Sequence, residues 1–415
     1  MVEQWTENPC VPSSILGGTT TKFRGIHPCG TFFCLVGHGA GDSGFLRPAS
    51  PYVRAVIKAI LSEDIVIRVL LLPLALLYGL AVGFRNLLYR IGVLRSVRFD
   101  LPVISVGNLS VGGAGKSPHI EYLIRWLDQF IHVAVLSRGY GRKTFGFRPV
   151  TVIDTAEDAG DEPLQFKRKF PGVPINVGES RALGVPEVLK HTPATQCILL
   201  DDAFQHLAVT PGLNILLTEY SRPFTRDWLL PAGRLREWRM GYRRADVIVV
   251  TKCPPAMTEI DRRKMLLQID PYPRQRVYFS QYDYGMPYDL LRPDIRRPFD
   301  LDTDVLLVSA IAHTDYLLSY LAGEVRSVQT LEYEDHHYFE ETDLNDLLKR
   351  FQNLPSRNKI IVTTEKDAVR LELHQSFFWK NALPIFVLPV EVAFCDDDET
   401  AFQADVQQFL LDFRF

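Results

Sequence analysis

The stretch SVGNLSVGGAGKSPHIEYLIRWL, residues 105–127, decides the fold. Its centre reads Ser110, Val111, Gly112, Gly113, Ala114, Gly115, Lys116 and Ser117. This is the phosphate-loop pattern G-x-x-x-x-G-K-[ST], with serine where the first glycine is expected. The mechanical needs of such a loop are met without that glycine. Gly112, Gly113 and Gly115 let the backbone approach an anion and adopt positive φ. Lys116 reaches the β- and γ-phosphates of a nucleotide, and the Ser117 hydroxyl suits Mg²⁺. The context agrees. LPVISVGN is a short buried-strand run, and HIEYLIRWLDQF places Ile120, Leu123, Ile124 and Leu127 on one helical face. The N-terminus of that helix adds its dipole to anion binding.

Outward from the loop the pattern repeats as strand, loop and helix. HVAVLSRGYG, QCILLDDAFQH, LNILLTEYS and ADVIVVTKCP are apolar runs, each with polar residues at its C-terminal end. Such runs, separated by helical stretches, predict an α/β fold: a P-loop NTPase core with a mostly parallel sheet and helices on both faces. Ligands of these sheets bind beyond the carboxyl ends of the strands. A Pro- and Arg-rich stretch near residues 281–303 reads as a linker, and a smaller α/β unit follows it. The expected organisation is an extension over 1–60, a membrane-associated helical segment over 61–100, a P-loop core over 101–290 and a smaller C-terminal α/β domain over 291–415.

Composition narrows the function classes. The chain has 415 residues, 47% of them apolar, and a net charge of −3, which argues against a general nucleic-acid binder. Its six cysteines show no CxxC pair and no metal-ligand spacing, as in a reducing compartment. The first sixty residues hold eight glycines and no sustained apolar period, and are expected to be poorly ordered. Residues 69–84 then carry no charge, which is about 24 Å of helix. Arg85, Arg90, Arg95 and Arg98 follow, while Leu87, Leu88, Ile91 and Leu94 continue the apolar stripe. A basic continuation of an apolar helix suits an anionic membrane surface, with spanning and surface insertion both open.

A phosphate loop needs acidic partners. Asp201 and Asp202 close the ILLDD run, where adjacent carboxylates call for a cation and suit Mg²⁺. VVTKCPP offers Thr251 and Lys252 of the guanine-reading N/T-K-x-D pattern, but Pro254 stands at its aspartate, so ATP is the expected nucleotide. Seven arginines lie between Arg222 and Arg244 against only Asp227 and Glu237, a density that suits phosphate or another anionic head group. GDEP supplies Asp161 and Glu162, and a carboxylate near the γ-phosphate can act as general base. EYEDHHYFEE sets Asp335 beside His336 and His337, so that a carboxylate can orient one histidine toward the nucleotide.

Taken in order, LLLPLALLYG, VISVGNLSVGGAGKSPH, LSRGYGRK, GDEP, ILLDDAFQH, LLPAGRLRE, ADVIVVTK, EDHHYF and VTTEKDAVRL resemble the tetraacyldisaccharide 4′-kinases, the lipid A 4′-kinases of Gram-negative bacteria. Members of that family are similar in carrying serine or threonine where Ser110 stands. The resemblance runs from about residue 65 to the C-terminus. It implies transfer of the ATP γ-phosphate to the 4′-hydroxyl of a tetraacylated glucosamine disaccharide 1-phosphate at the cytoplasmic face of the bacterial inner membrane. It also implies ATP binding by residues 110–117, with Lys116 in catalysis, and Mg²⁺ on Ser117, Asp201 and Asp202. By the same resemblance Asp161 is the base, with His336 its partner from the C-terminal domain closing over the nucleotide. Glu162, Gln205, His206, Arg236 and Glu237 would line the substrate side of the cleft. Two positions depart from the family pattern: Ala203, more often glycine there, and Trp238, more often proline. The competing reading is a membrane-attached regulatory or metal-insertion P-loop NTPase, which would act on a protein partner.

Overall fold

The structure, a computed structural model, describes residues 63–311, 314–335 and 337–413. The expected extension over 1–60 lies outside the described residues. The first element is a long helix, Glu63–Arg90. Strands then follow in chain order: β1 Val103–Asn108, β2 Val133–Ser137, β3 Arg148–Pro149, β4 Ile175–Val177 and β5 Cys197–Asp201. After these come β6 Leu213–Glu219, β7 Val247–Thr251, β8 Arg276–Tyr284, β9 Tyr288–Asp289 and β10 Asp304–Ser309. The last four are β11 Ser327–Glu332, β12 Lys359–Thr364, β13 Ile385–Leu388 and β14 Val390–Phe394.

Nine strands form one sheet in the order β14-β8-β7-β6-β1-β5-β2-β4-β3, and five form a second in the order β11-β10-β12-β13-β9. In the large sheet only the edge strands β14 and β3 pair antiparallel. The sequence explains this layering. β1, β2, β5 and β7 are buried along their whole length, as parallel strands covered on both faces must be. Alternate residues serve opposite faces. Ile104, Val106 and Leu199 pack with Ile120, Leu123, Ile124 and Leu127 of the helix Lys116–Leu127. Val103, Ile198 and Leu200 pack with Val185 and Val188 of the helix Arg181–His191 on the other side.

The C-terminal portion does not stay with the second sheet. β14 runs antiparallel to β8, and Phe402 and Val406 of the following helix, Asp398–Asp412, enter the large sheet's core. Residues 390–412 therefore finish the first layer after the second has been built.

The strand register positions the site. β1 pairs with β5 in parallel with Val106 opposite Asp201, so the phosphate loop and the paired aspartates leave the sheet at the same edge. Gly107 is what allows the chain after Asp202 to fold back over β1. A Cβ there would lie 2.7 Å from Phe204 Cβ and 2.8 Å from the Phe204 backbone nitrogen. Because backbone is among the atoms met, Gly107→Ala should cost about 1–3 kcal/mol. Urea unfolding measures this, and an unchanged midpoint would show that the strand and the crossing segment are not so closely packed.

Candidate active site

The loop between β1 and the helix Lys116–Leu127 is held from several directions. Asn108 Nδ2 donates to the Ser110 carbonyl at 2.6 Å, and Thr251 Oγ1 donates to the Ala114 carbonyl at 2.9 Å. The Val111 N–H donates to the Arg234 carbonyl at 2.7 Å, and Ser110 forms an antiparallel bridge with Leu235. Ser110 is thus paired in strand fashion and has no positive φ, so its position does not require glycine. Positive φ falls on Gly112 (107°) and Gly115 (86°), whereas Gly113, expected to share that role, does not take it. Gly115 caps the helix, whose first residue is Lys116. Lys116 Nζ donates to Asn108 Oδ1 at 3.3 Å and lies 3.7 Å from Asp202 Oδ1.

His119 was not singled out by the sequence, and it anchors the loop from within. Its Nδ1 stands 2.7 Å from the Gly115 carbonyl and its Nε2 stands 3.1 Å from Ser280 Oγ. A carbonyl only accepts, so Nδ1 carries the proton and Nε2 accepts from the serine hydroxyl. Burial, only partly offset by the Gly115 bond, pushes its pKa down to about 4.

The aspartates sit at the end of β5 in different environments. Asp201 is buried and accepts from Ser137 Oγ at 2.8 Å. Burial, then the charges of Asp202 and Glu162, push it up to about 6. Asp202 has φ 45°, a left-handed conformation that aspartate tolerates better than most residues. Burial raises its pKa, but Lys116 and Arg236 outweigh this and hold it below the usual carboxylate value. Arg181, also unforeseen, is buried and donates to the Asp201 carbonyl at 2.7 Å. Ser117, Asp201 and Asp202 offer hard oxygen donors of the kind Mg²⁺ takes beside a nucleotide's phosphates. No group of three His, Cys, Asp or Glu side chains clusters as a metal site among the described residues.

GDEP forms the start of the helix Asp161–Lys169, with Gly160 at φ 90° as its cap. A Cβ on Gly160 would lie 2.9 Å from the Tyr140 carbonyl, and one on Gly139 would lie 2.6 Å from the Ala159 carbonyl. The RGYG and GDEP loops therefore touch backbone to backbone, which brings Asp161 and Glu162 toward the Asp201 side of the sheet. Asp161 is buried, and its Oδ2 lies 3.2 Å from Arg370 Nε. Glu162 Oε1 lies 3.3 Å from Lys366 Nζ. His336 lies outside the described residues. Asp335 and His337 touch Lys366 and Arg370 respectively, the same two cations that Glu162 and Asp161 meet.

The other expected substrate-side residues form one polar group around Asp202. Arg236 Nη1 donates to both Asp202 oxygens at 3.0 Å. Gln205 Nε2 donates to the Asn108 carbonyl at 2.8 Å and to Glu237 Oε1 at 3.1 Å. Burial, then Arg181 and Arg138, lower His206 to about 4, so it is neutral near pH 7. Glu237 is only 2% exposed, and its carboxylate is committed to Arg244 at 2.7 Å, Gln205 and Asn86. It holds Arg244, Gln205 and Asn86 together from a buried position. The arginine-rich stretch is likewise less free than its composition suggests. Arg234 pairs with Asp227 at 3.0 Å, Arg239 donates to the Asp227 carbonyl, and Arg243 lies over Tyr272.

Lys252, from the VVTK run, is buried against Glu219 at 3.1 Å, with the rings of Tyr316 and Tyr282 4.5 and 5.8 Å from it. Tyr316 comes from the helix Asp315–Glu324, which follows β10 of the second sheet. The second layer thus reaches the back of the phosphate loop.

The helix Glu63–Arg90 docks on this assembly. Leu71, Leu72, Ala75 and Tyr78 pack on Leu109, Phe204 and Leu229. Tyr78 donates to the Arg236 carbonyl at 2.7 Å, and Arg85 donates to the Gln205 carbonyl at 3.2 Å. Trp238, the departure from the family pattern, donates its indole N–H to the Gly79 carbonyl at 2.7 Å.

Known proteins resemble the chain over this whole region. The family model for tetraacyldisaccharide-1-P 4′-kinase matches residues 67–411. The tetraacyldisaccharide 4′-kinase of Phocaeicola vulgatus is 41% identical over 345 residues, covering 82% of this chain and 94% of that protein. The enzyme of the same name from Parabacteroides distasonis is 44% identical over 340 residues, covering 80% and 92%. A crystal structure of LpxK from Aquifex aeolicus in complex with ATP superposes with a TM-score of 0.62 at 27% identity, covering 83% of this chain and 99% of that one.

The neutral His119 links loop geometry to pH. Unfolding returns it to an ordinary pKa of 6.5, so the unfolded chain binds the extra proton between pH 6.5 and about 4. Its contribution to stability is complete above that window and is lost as pH falls through it. Between pH 7 and pH 5 the loss is about 2 kcal/mol. Urea unfolding at the two pH values should show His119→Gln losing that much less than the parent, while equal losses would mean that His119 is not held neutral.

Proposed function

This chain belongs to the tetraacyldisaccharide 4′-kinase family, and we propose how its own residues carry out that family's reaction. It is an ATP-dependent lipid kinase of lipid A biosynthesis, transferring the γ-phosphate of ATP to the 4′-hydroxyl of tetraacyldisaccharide 1-phosphate. In our reading residues 110–117 cradle the phosphates with backbone N–H groups, and Lys116 contacts the γ-phosphate. Ser117, Asp201 and Asp202 hold Mg²⁺, which neutralises phosphate charge when bound. Asp161 accepts the proton of the 4′-hydroxyl, and His336 is its partner. Arg236, Gln205, His206 and Glu162 face the disaccharide, with Glu237 supporting them. The smaller unit within residues 291–415 closes over ATP and limits loss of the phosphoryl group to water.

One observation carries this reading. The loop lysine and the paired aspartates meet at the C-terminal edge of β1, β2 and β5, where Lys116 is 3.7 Å from Asp202, Ser137 holds Asp201, and the charge of Glu162 from GDEP acts on Asp201. Transfer of labelled phosphate from ATP to the lipid disaccharide in detergent tests it. Asp161→Asn should lower kcat by about 10²–10⁴-fold, with the KM for ATP little changed. An Asp161→Asn enzyme with near-normal kcat would remove Asp161 from proton transfer.

We also propose that the chain works at the cytoplasmic surface of the inner membrane, attached by its first described helix. Val66–Arg90 is long and apolar enough to cross a bilayer, but one face is docked on the core. On the opposite side Leu70, Leu74, Leu77, Leu80 and Phe84 are exposed. That arrangement suits a helix lying in the interface, with Arg85, Arg90, Arg95 and Arg98 near anionic head groups. Each leucine inserted contributes about 1.5–3 kcal/mol. Leu77→Asp combined with Leu80→Asp should weaken binding to anionic vesicles more than tenfold, and unchanged binding would place the membrane contact elsewhere.

A further inference from the structure

The VTTEKDAVRL run has no role in the reaction so far, yet it supplies the helix that joins the two layers. That helix, Glu365–Leu371, is capped by Thr364, whose hydroxyl accepts from the Asp367 N–H at 3.2 Å. Lys366 and Arg370 stand four residues apart and share one face. Lys366 Nζ lies 3.3 Å from Glu162 Oε1 and 3.4 Å from Asp335 Oδ1. Arg370 Nε lies 3.2 Å from Asp161 Oδ2, and its Nη1 donates to the His337 carbonyl at 2.6 Å. Each cation therefore ties one GDEP carboxylate to Asp335 or His337.

The clamp is fixed on its other sides. Arg370 and Asp367 are both fully buried, with Arg370 Nη2 3.3 Å from Asp367 Oδ1. Asp367 in turn accepts from Thr364 Oγ1 at 2.8 Å and from the Ala310 N–H at 3.1 Å. Lys169 links the same helix to the helix that follows the phosphate loop, since its Nζ is 2.7 Å from Glu365 and 2.6 Å from Glu121 of the helix Lys116–Leu127. Stability alone is a weak reason for such an arrangement, because buried ion pairs often do no better than apolar packing of the same volume. Geometry is a stronger one. A guanidinium spreads its charge over three nitrogens, so Arg370 stays close to Asp161, Asp367 and the His337 carbonyl at once, which a single ammonium does less readily.

We propose that Lys366 and Arg370 are positioning residues for phosphoryl transfer, a two-pronged clamp that sets Asp161 and Glu162 against Asp335 and His337. The proposal rests on the assignment of Asp161 as the base. It requires the cations to act through the GDEP carboxylates, so their loss is felt in kcat and not in ATP binding.

The test uses the full chain with labelled ATP and the lipid disaccharide, comparing Asp161→Asn, Glu162→Gln, Lys366→Met, Lys366→Arg, Arg370→Lys, Lys366→Met combined with Glu162→Gln, and Arg370→Lys combined with Asp161→Asn. Lys366→Met and Arg370→Lys should each lower kcat at least tenfold with the KM for ATP within threefold, while Lys366→Arg restores most of kcat. Combined with the variant of its own carboxylate partner, either change should add less than a twofold loss. If Asp161→Asn is strongly impaired but both cation variants keep full kcat, the clamp is overturned and the base assignment stands. Losses that multiply in the double variants also overturn it, since the cations would then act apart from the GDEP carboxylates. Near-normal kcat in Asp161→Asn removes the base assignment and the clamp with it. Lys366 is partly exposed, so Lys366→Met decides the matter alone if Arg370→Lys does not fold.

Discussion

The structure depends on how the phosphate loop is tied at its two ends. A loop that binds phosphate through backbone N–H groups works only if those groups already point at the anion, because reorienting them on binding would use up the interaction. Here the N-terminal end is stitched to the LRE segment by the Val111–Arg234 bond and the Ser110–Leu235 bridge. The C-terminal end is held through Thr251 and His119, which bond the Ala114 and Gly115 carbonyls. Both ends thus refer the loop to elements that carry the rest of the site. The LRE segment brings Arg236 to Asp202, and β7 brings Lys252 and the second layer's Tyr316.

This tethering accounts for Ser110. In the general pattern that position is glycine, and on sequence alone the serine is tolerable because other glycines serve the turn. The structure supplies the reason, since residue 110 is paired like a strand residue and only Gly112 and Gly115 need the left-handed region. Much of the fold was legible for comparable reasons. Ile120, Leu123, Ile124 and Leu127 face the sheet because helical periodicity demands it, and the ILLDD and VVTK runs end at the ligand edge as parallel strands do.

What could not be read is pairing between distant residues. Nothing near Arg370 in sequence points to Asp161, and nothing near Gly107 reveals that Phe204 crosses it. His119 and Arg181 look like ordinary helix residues until Gly115 and Asp201 are seen to accept their hydrogen bonds. Composition also overstated the free positive charge between residues 222 and 244. Asp202, Asp227 and Glu237 lie close enough in space to take up Arg236, Arg234 and Arg244. The chain's last strand returns to the first sheet, a connection that no linear division of the sequence anticipates.

The proposed mechanism requires Asp161 to meet the acceptor hydroxyl beside a nucleotide held by the loop. A structure of the full chain with Mg²⁺, a non-hydrolysable ATP analogue and the lipid disaccharide tests this most directly. The γ-phosphate should lie against Lys116, and the 4′-hydroxyl should lie within about 2.6–3.2 Å of an Asp161 oxygen. A 4′-hydroxyl bound in line with the γ-phosphate but out of reach of Asp161 would contradict it.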